Sequence, residues 1–342
     1  MKRWYLYPFS LVYNLITAIR NLFFNIGLLY GHKMRIPVIG VGNLSVGGTG
    51  KSPVVMYLAD LLSKNHHRTG VLSRGYGRKS KGYIVTNYSS NYKQVGDEAM
   101  QLFTRFKNRI VIAVCEDRVL GAKKIIEDMN LETLVLDDSY QHRYIKPGFN
   151  ILLTDYSDPY FKDFVLPAGN LREARSGYKR ANAIIVTKCP DDLSEEKKKY
   201  YISRIAPYAY QKVFFGAIDY DANVYSLQKS LPVNNLDYYD ILLITGIANP
   251  KHILKELGKY SNRIKHLKFK DHYSFTDSDI NKIISEYQKL GEYKMILTTE
   301  KDFVRLKTFE KLLDKLYYWP INVDIDKKTE FNQMILDYVR KN

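Results

Sequence analysis

Val41-Gly42-Asn43-Leu44-Ser45-Val46-Gly47-Gly48-Thr49-Gly50-Lys51-Ser52-Pro53 is the most informative stretch of the chain. The apolar run Ile36 to Val41 predicts a buried strand before it. After it, Val54, Val55, Tyr57, Leu58, Leu61 and Leu62 recur at the 3–4 spacing of one helix face. Strand, glycine-rich turn, Lys-Ser and helix, in that order, are the context a phosphate-binding loop requires. Glycines let successive backbone N–H groups converge on an anion at a helix N-terminus, where the dipole already favours negative charge. Ser45, Val46, Gly47, Gly48, Thr49, Gly50, Lys51 and Ser52 are therefore the expected phosphate cradle. Lys51 would reach the β- and γ-phosphates, and the Ser52 hydroxyl would ligate Mg²⁺. One position departs from the usual pattern: Ser45 stands where a glycine is expected.

Thr133-Leu134-Val135-Leu136-Asp137-Asp138 gives the second strong signal, an apolar strand ending in carboxylates that could hold Mg²⁺ or its waters. Gln141-His142-Arg143 follows at once, either facing a substrate or structural. Gly70 to Ser73, Ile110 to Val114, Asn150 to Thr154 and Ala183 to Thr187 predict further buried strands. Alternating with helices, they give an α/β fold with a P-loop NTPase-like parallel sheet. Ligands in such sheets sit beyond the carboxyl ends of strands. Arg74 and Arg78, in Arg74-Gly75-Tyr76-Gly77-Arg78, could hold an anion there or belong to an ordinary turn. Asp97 and Glu98 precede a helical pattern and, on spacing alone, complement its dipole. Leu166 to Glu173, with Pro167 and Gly169, predicts a loop on the same sheet edge as the phosphate cradle. Thr187-Lys188-Cys189-Pro190 is faintly similar to the guanine-reading Asn-Lys-x-Asp, but Pro190 replaces the Asp, so GTP is not inferred.

The second half begins near Lys212 to Ile218 and predicts another α/β unit. Its strands lie at Asp240 to Gly246, Ile264 to Phe269, Met295 to Thr298 and Tyr317 to Val323. Helices are expected near Asp277 to Leu290 and Glu330 to Lys341. His272 sits in a loop beside Asp271, where a carboxylate can orient an imidazole for proton transfer. Thr299-Glu300-Lys301-Asp302 is charge-dense, and spacing assigns it no role. The expected division is an N-terminal helix over 1–33, a nucleotide-binding core over 34–205 and a smaller α/β domain over 206–342.

A hydrophobic content of 45% is ample for buried cores and argues against a disordered chain. Cys115 and Cys189 are too few for a disulfide framework or a four-cysteine zinc site, which favours a reducing compartment. The net charge of +16 suits an anionic membrane surface or a phosphorylated substrate. Nucleic acid is not expected, because no basic stripe interleaved with aromatics is visible. Residues 1–35 hold Lys2, Arg3, Arg20, Lys33 and Arg35 and no acidic side chain. Val12, Leu15, Ile16, Ile19, Leu22, Phe23 and Ile26 form an apolar face, with Ser10, Asn14, Thr17, Asn21 and Asn25 opposite. Polar residues interrupt this stretch too often for a span or a signal peptide. An interfacial helix is expected, and a helix packed on the protein's own core is the alternative.

Together these stretches resemble the tetraacyldisaccharide 4′-kinase family of lipid A biosynthesis. The resemblance is carried by Gly42-Asn43 through Gly47-Gly48-Thr49-Gly50-Lys51-Ser52-Pro53, Ser73 to Arg78, Val95 to Glu98 and Leu136-Asp137-Asp138 with Gln141-His142. Leu166 to Gly169 with Leu171-Arg172-Glu173, Thr245-Gly246-Ile247, Asp271-His272 and Thr299 to Asp302 extend it over nearly the whole chain. Ser139-Tyr140, Ala99, Ala248 and Tyr273 depart from the commonest family pattern. The resemblance implies ATP- and Mg²⁺-dependent phosphorylation of the 4′-hydroxyl of a tetraacylated glucosamine disaccharide 1-phosphate. It implies a peripheral enzyme on the cytoplasmic face of the inner membrane of a Gram-negative cell; no obligate protein partner is inferred. It also implies Asp97 as general base with His272 as its partner, Lys51 on the transferring phosphate, and Ser52, Asp137 and Asp138 at the metal. Arg74, Arg78, Glu98, Gln141, His142 and Arg172 become candidate substrate contacts, assigned by charge and hydrogen-bonding type. A membrane-attached P-loop GTPase or metallochaperone is the alternative, expected to show a guanine-reading motif or clustered Cys and His ligands.

Overall fold

The computed structural model describes residues 4–342, so Lys2 and Arg3 of the basic rim lie outside the described residues. After α1 (Tyr7–Asn25), the chain alternates β1 (Val38–Asn43), α2 (Lys51–Lys64), β2 (Thr69–Ser73), β3 (Ile84–Val85), α3 (Tyr92–Val95), α4 (Asp97–Phe106), β4 (Val111–Val114) and α5 (Arg118–Met129). It continues through β5 (Thr133–Leu136), β6 (Phe149–Asp155), β7 (Ala183–Cys189), α6 (Glu195–Ile205) and β8 (Lys212–Tyr220). A second run follows: β9 (Asn223–Tyr225), β10 (Ser230–Pro232), β11 (Asp240–Thr245), α7 (Lys251–Leu257), β12 (Ile264–Lys268), α8 (Asp277–Gln288), β13 (Lys294–Thr299) and α9 (Glu300–Leu306). The chain ends with β14 (Leu316–Trp319), β15 (Ile321–Ile325) and α10 (Lys328–Arg340).

These strands form two sheets. The nine-stranded sheet has the order β15-β8-β7-β6-β1-β5-β2-β4-β3, and the six-stranded sheet β10-β9-β14-β13-β11-β12. In the larger sheet every pair from β8 to β4 is parallel, and only the edge strands β15 and β3 are antiparallel. β1 lies at its centre and is buried along its whole length, as a parallel strand covered on both faces must be. Val54 and Leu58 of α2 pack on Ile39, Val41 and Val135, together with Phe331 and Ile335 of α10.

The expected boundary at residue 205 does not coincide with the division between the sheets. β8, β15 and α10 all belong to the nine-stranded layer, so residues 221–320 supply the smaller sheet and the chain then returns. Sequence periodicity predicts one strand over Tyr317 to Val323, whereas the structure breaks it at Pro320. Proline offers no N–H to a ladder, so the chain changes sheets there, β14 pairing with β13 and β15 with β8.

α1 is docked in the reverse sense to an ordinary surface helix. Its buried residues are Ser10 and Thr17, while Leu15 and Ile16 are 60% and 62% exposed. Polar bonds hold the inner face: the Ala168 N–H donates to Ser10 Oγ at 2.9 Å, Tyr13 Oη donates to the Arg172 carbonyl at 3.1 Å, and Asn21 Nδ2 donates to Glu173 Oε2 at 2.9 Å. The outward face carries Phe9, Leu11, Val12, Ile19, Leu22, Phe23 and Ile26, all exposed. Among the described residues no helix is long and apolar enough to cross a membrane.

Candidate active site

The phosphate loop leaves β1 at Asn43 and enters α2 at Lys51. Gly50 caps the helix in the left-handed region, φ +78°, which explains a glycine there. Asn43 is fully buried and donates from Nδ2 to Thr49 Oγ1 at 2.8 Å, while Lys51 Nζ donates to Asn43 Oδ1 at 3.4 Å. Ser45 has no left-handed backbone, because it forms an antiparallel bridge with Leu171, flanked by the Arg172 N–H to Leu44 O and the Val46 N–H to Asn170 O, both at 2.7 Å. Extended backbone accommodates serine where a tighter turn would need glycine. The far side of the loop is held by Thr187 Oγ1, 2.9 Å from Thr49 O, and by Lys188 Nζ on Gly48 O. Lys188 also pairs with Asp155 at 2.7 Å. The motif that lacks a guanine-reading carboxylate thus buttresses the loop.

Beyond β5 the two aspartates have different surroundings. Asp138, at φ +48°, accepts from Arg172 Nη1 on both oxygens at 3.0 Å and lies 3.6 Å from Lys51 Nζ. Burial works against its charge, but Lys51 and Arg172 outweigh it and hold the carboxyl below its usual range. Asp137 is buried, and its Oδ1 has no partner. Burial first, then the Glu98 and Asp138 carboxylates, push its pKa well up. An unpartnered buried carboxylate oxygen on the residue next to Asp138 fits a divalent cation held by few protein ligands.

Of the candidate substrate contacts, Arg172 and Gln141 bond directly within this cluster and Arg78 does not. Gln141 Nε2 donates to Asn43 O at 2.9 Å and to Glu173 Oε1 at 3.1 Å, and its Oε1 accepts from Arg172 at 3.2 Å. Burial, then the Arg118 and Arg74 cations, drive the His142 pKa down to about 4, so its imidazole is neutral near pH 7. Arg74 is exposed at the rim. The Arg78 side chain is buried instead, paired with Glu116 at 2.7 Å and donating to Gly82 O at 2.6 Å.

Asp97 opens α4 at the seam between the sheets. Gly96, at φ +88°, lets the helix start against Gly75 and Tyr76, where an added Cβ would lie 3.0 Å from Tyr76 O. His272 Nδ1 is 3.2 Å from Asp97 Oδ2, and Arg305 Nε donates to Oδ1 at 3.0 Å while its Nη2 donates to Oδ2. Burial opposes the charge of Asp97, yet the His272 and Arg305 hydrogen bonds prevail and bring its pKa down to about 2. Arg305 also reaches Asp302 at 3.3 Å, and Asp302 Oδ2 accepts the Gly246 N–H at 2.8 Å. Lys301 Nζ lies 2.9 Å from His272 Nε2. An ammonium donates there, which assigns the imidazole proton to Nδ1, facing Asp97.

Spacing did not single out Arg305 or Arg118, and gave Glu173 and Lys188 no role. Arg118 is buried and its Nη2 donates to Asp137 O at 3.4 Å. Glu173 is wholly buried and accepts from Gln141, Arg180 and Asn21. A signal for Arg305 did exist: it follows Asp302 by three positions, the spacing at which helical side chains meet.

A parallel sheet whose central strand runs through a glycine loop into a Lys-Ser helix, with a carboxylate pair on the neighbouring strand, defines a nucleotide-binding protein of the phosphate-loop class. The model of the family "Tetraacyldisaccharide-1-P 4'-kinase" matches residues 2–340, and the chain belongs to that family of kinases. It is 43% identical over 339 residues to a protein of Flavobacterium johnsoniae named tetraacyldisaccharide 4′-kinase, covering 98% of this chain and 97% of that one. A protein of the same name from Bacteroides thetaiotaomicron is 42% identical over 361 residues, covering 100% and 94%. Among solved structures, LpxK from Aquifex aeolicus in complex with ATP superposes with a TM-score of 0.79 at 29% identity, covering 99% of this chain and 100% of that one.

Proposed function

We propose that the chain transfers the γ-phosphoryl group of ATP to the 4′-hydroxyl of a tetraacylated disaccharide 1-phosphate, a lipid A precursor. Family membership supplies the reaction, and the observation that ties it to residues is the position of α4. Its first turn places ionised Asp97 next to Glu98, whose charge acts on Asp137 in the phosphate-loop cluster. Asp97 is the group that accepts the acceptor hydroxyl's proton, and His272 and Arg305 orient its carboxylate. A pKa of about 2 makes it a weak base but one always ionised near neutrality. That suits phosphoryl transfer, whose loose transition state needs a positioned acceptor more than early deprotonation.

Residues 45–52 cradle the nucleotide phosphates, with Lys51 on the transferring group. Ser52, Asp137 and Asp138 would hold Mg²⁺, which would neutralise charge developing on the phosphates. Arg172 is the cation best placed to pass from Asp138 to a phosphate, while Arg74, Gln141 and His142 line the acceptor side. The unit over 221–320, which carries His272 and Arg305, is the part that closes over the acceptor.

The helix α1 supports a peripheral place on the cytoplasmic face of the inner membrane. Exposing its apolar face while burying serine and threonine gains nothing in water. Moved into the acyl boundary, each large apolar side chain gains about 1.5–3 kcal/mol. No observation favours the GTPase or metallochaperone alternative. Incubation with γ-labelled ATP, Mg²⁺ and the disaccharide 1-phosphate in detergent tests the reaction. Label on the 4′-position is expected, and ATP binding without transfer would sink the kinase reading. Leu15→Glu with Ile16→Glu is expected to keep the melting temperature and abolish sedimentation with vesicles; undiminished sedimentation places the anchor elsewhere.

A further inference from the structure

Between the C-terminal half of α1 and the turn Arg175–Arg180 lies a cavity of about 370 Å³ that the phosphate-loop chemistry does not use. Its polar lining is Asn21 and Asn25 of α1 with Arg143, Ser176, Lys179 and Arg180. No acidic side chain lines it among the described residues. Arg180 Nη2 is bonded to the buried Glu173 at 2.8 Å, so one of the three cations has a carboxylate behind it. Arg143 has none: its Nη1 and Nη2 donate to Asn21 O and Asn25 Oδ1, both at 2.8 Å, and both acceptors are neutral. Lys179 sits over the Tyr208 ring, 5.5 Å from its centroid. Burial, then the Arg180 and Arg20 cations, lower the pKa of Arg143, with Glu173 opposing them. A cavity lined by three cations and several neutral hydrogen-bonding groups has an unfilled demand for an anion.

Location narrows the anion. Leu22, Phe23 and Ile26 are exposed on the same turns of α1 that supply Asn21 and Asn25. With that apolar face in a bilayer, the cavity lies at the level of the phosphates. We propose that this cavity is a binding site for a lipid phosphate, taken from an anionic phospholipid of the bilayer or from the 1-phosphate of the acceptor lipid. The inference rests on the membrane reading of α1, and it adds a headgroup site to the anchor. Occupancy also bears on the phosphate loop: Arg180 and Asn21 share Glu173 with Gln141, which holds Asn43 O.

Two measurements on the full chain test it and distinguish the sources. One is sedimentation with phosphatidylcholine vesicles, alone and mixed with phosphatidylglycerol, at low salt. The other is the KM in detergent for the disaccharide 1-phosphate against its analogue with a free 1-hydroxyl. Lys179→Glu, at an exposed position, is expected to melt like the wild type and to bind pure phosphatidylcholine equally. A charge near the surface is worth about fivefold in binding, so reversing one should cut the gain from phosphatidylglycerol by about 25-fold if the bilayer supplies the phosphate. If the acceptor supplies it, Lys179→Glu raises the KM of the 1-phosphate and leaves that of the analogue alone. Arg143→Gln should act in the same arm. No change in either arm for both variants overturns the site, and so does an equal loss of binding to pure phosphatidylcholine. Wild-type protein that binds neither vesicle overturns the membrane reading of α1, and the KM arm then decides the cavity by itself.

Discussion

The phosphate-loop cluster and the Asp97 cluster are both charged, yet they are held in different ways. Around the loop, Lys51, Asp138 and Arg172 form ion pairs of 3.0–3.6 Å with side chains 13%, 34% and 25% exposed. At the seam, Arg305 is 2% exposed and spends its donors on Asp97, Asp302 and the Tyr273 carbonyl. The first cluster comes mostly from the carboxyl end of one sheet and the loop Leu166 to Glu173 beside it. The second joins α4 of one sheet to α9 of the other. Partly open ion pairs can be exchanged for phosphate and metal at small cost, whereas a buried pair across two sheets fixes a distance. One cluster is arranged so that phosphate can replace its ion pairs; the other holds the Asp97 carboxylate fixed before any ligand arrives.

The largest expected effect falls on the open cluster. Lys51→Met should lower kcat by about 10³–10⁵, the range for removing a cation from a transferring phosphoryl group, and should weaken ATP binding. Its melting temperature should barely move, because partly exposed pairs are worth about 0–1 kcal/mol. Asp97→Asn should lower kcat by about 10²–10⁴ with ATP affinity intact. Labelled-phosphate transfer and nucleotide titration separate the two. Full activity in Asp97→Asn would reduce Asp97 to a charge at a helix end.

Stability should respond in the opposite order. Arg305→Met leaves the buried Asp97 with His272 as its remaining partner, and breaking such a buried pair costs about 3–5 kcal/mol. Urea unfolding should show that loss, and adding Asp97→Asn should recover part of it. The pH dependence follows from the sign of the shift. Asp97 falls from an ordinary 3.8 to about 2 in the folded chain, so its stabilisation is complete above pH 4 and is lost as pH falls toward 2. Without Arg305, His272 alone opposes burial and the carboxyl pKa rises, moving the acid limb of kcat to higher pH. An unmoved acid limb would show that Arg305 does not set the charge of Asp97.

What the sequence disclosed follows the same division. The phosphate loop, the Asp137-Asp138 strand end and the parallel sheet were legible, because each is written in contiguous residues whose types and spacing follow from local geometry. Ser45 was legible only as a departure; its bridge to Leu171, 126 positions on, explains it. Asp97 and His272 could be paired only by family resemblance, since their bond spans 175 positions. Arg305 escaped for the same reason, 208 positions from its partner. The apolar face of α1 was plain, but its direction was not: periodicity identifies a face and is silent on what covers it. The return of β15 and α10 to the larger sheet depended on Pro320, which in sequence only interrupts an apolar run.

The smallest effect tests whether the seam is one unit or two. Lys301 touches neither Asp97 nor Arg305; it meets His272 Nε2 at 2.9 Å and Asp271 at 3.7 Å, at the solvent side of the cluster. If Arg305 alone fixes the Asp97 carboxylate, Lys301→Met loosens only the imidazole. A partly exposed contact of at most about 1 kcal/mol corresponds to roughly a fivefold loss in kcat. The KM for ATP and the melting temperature should stay at wild-type values, and Lys301→Arg should restore most of the rate. A loss as large as that of Asp97→Asn would mean that the imidazole proton, set by Lys301, is required for transfer. The proton path would then run through His272, and the seam would be a relay instead of a fixed carboxylate.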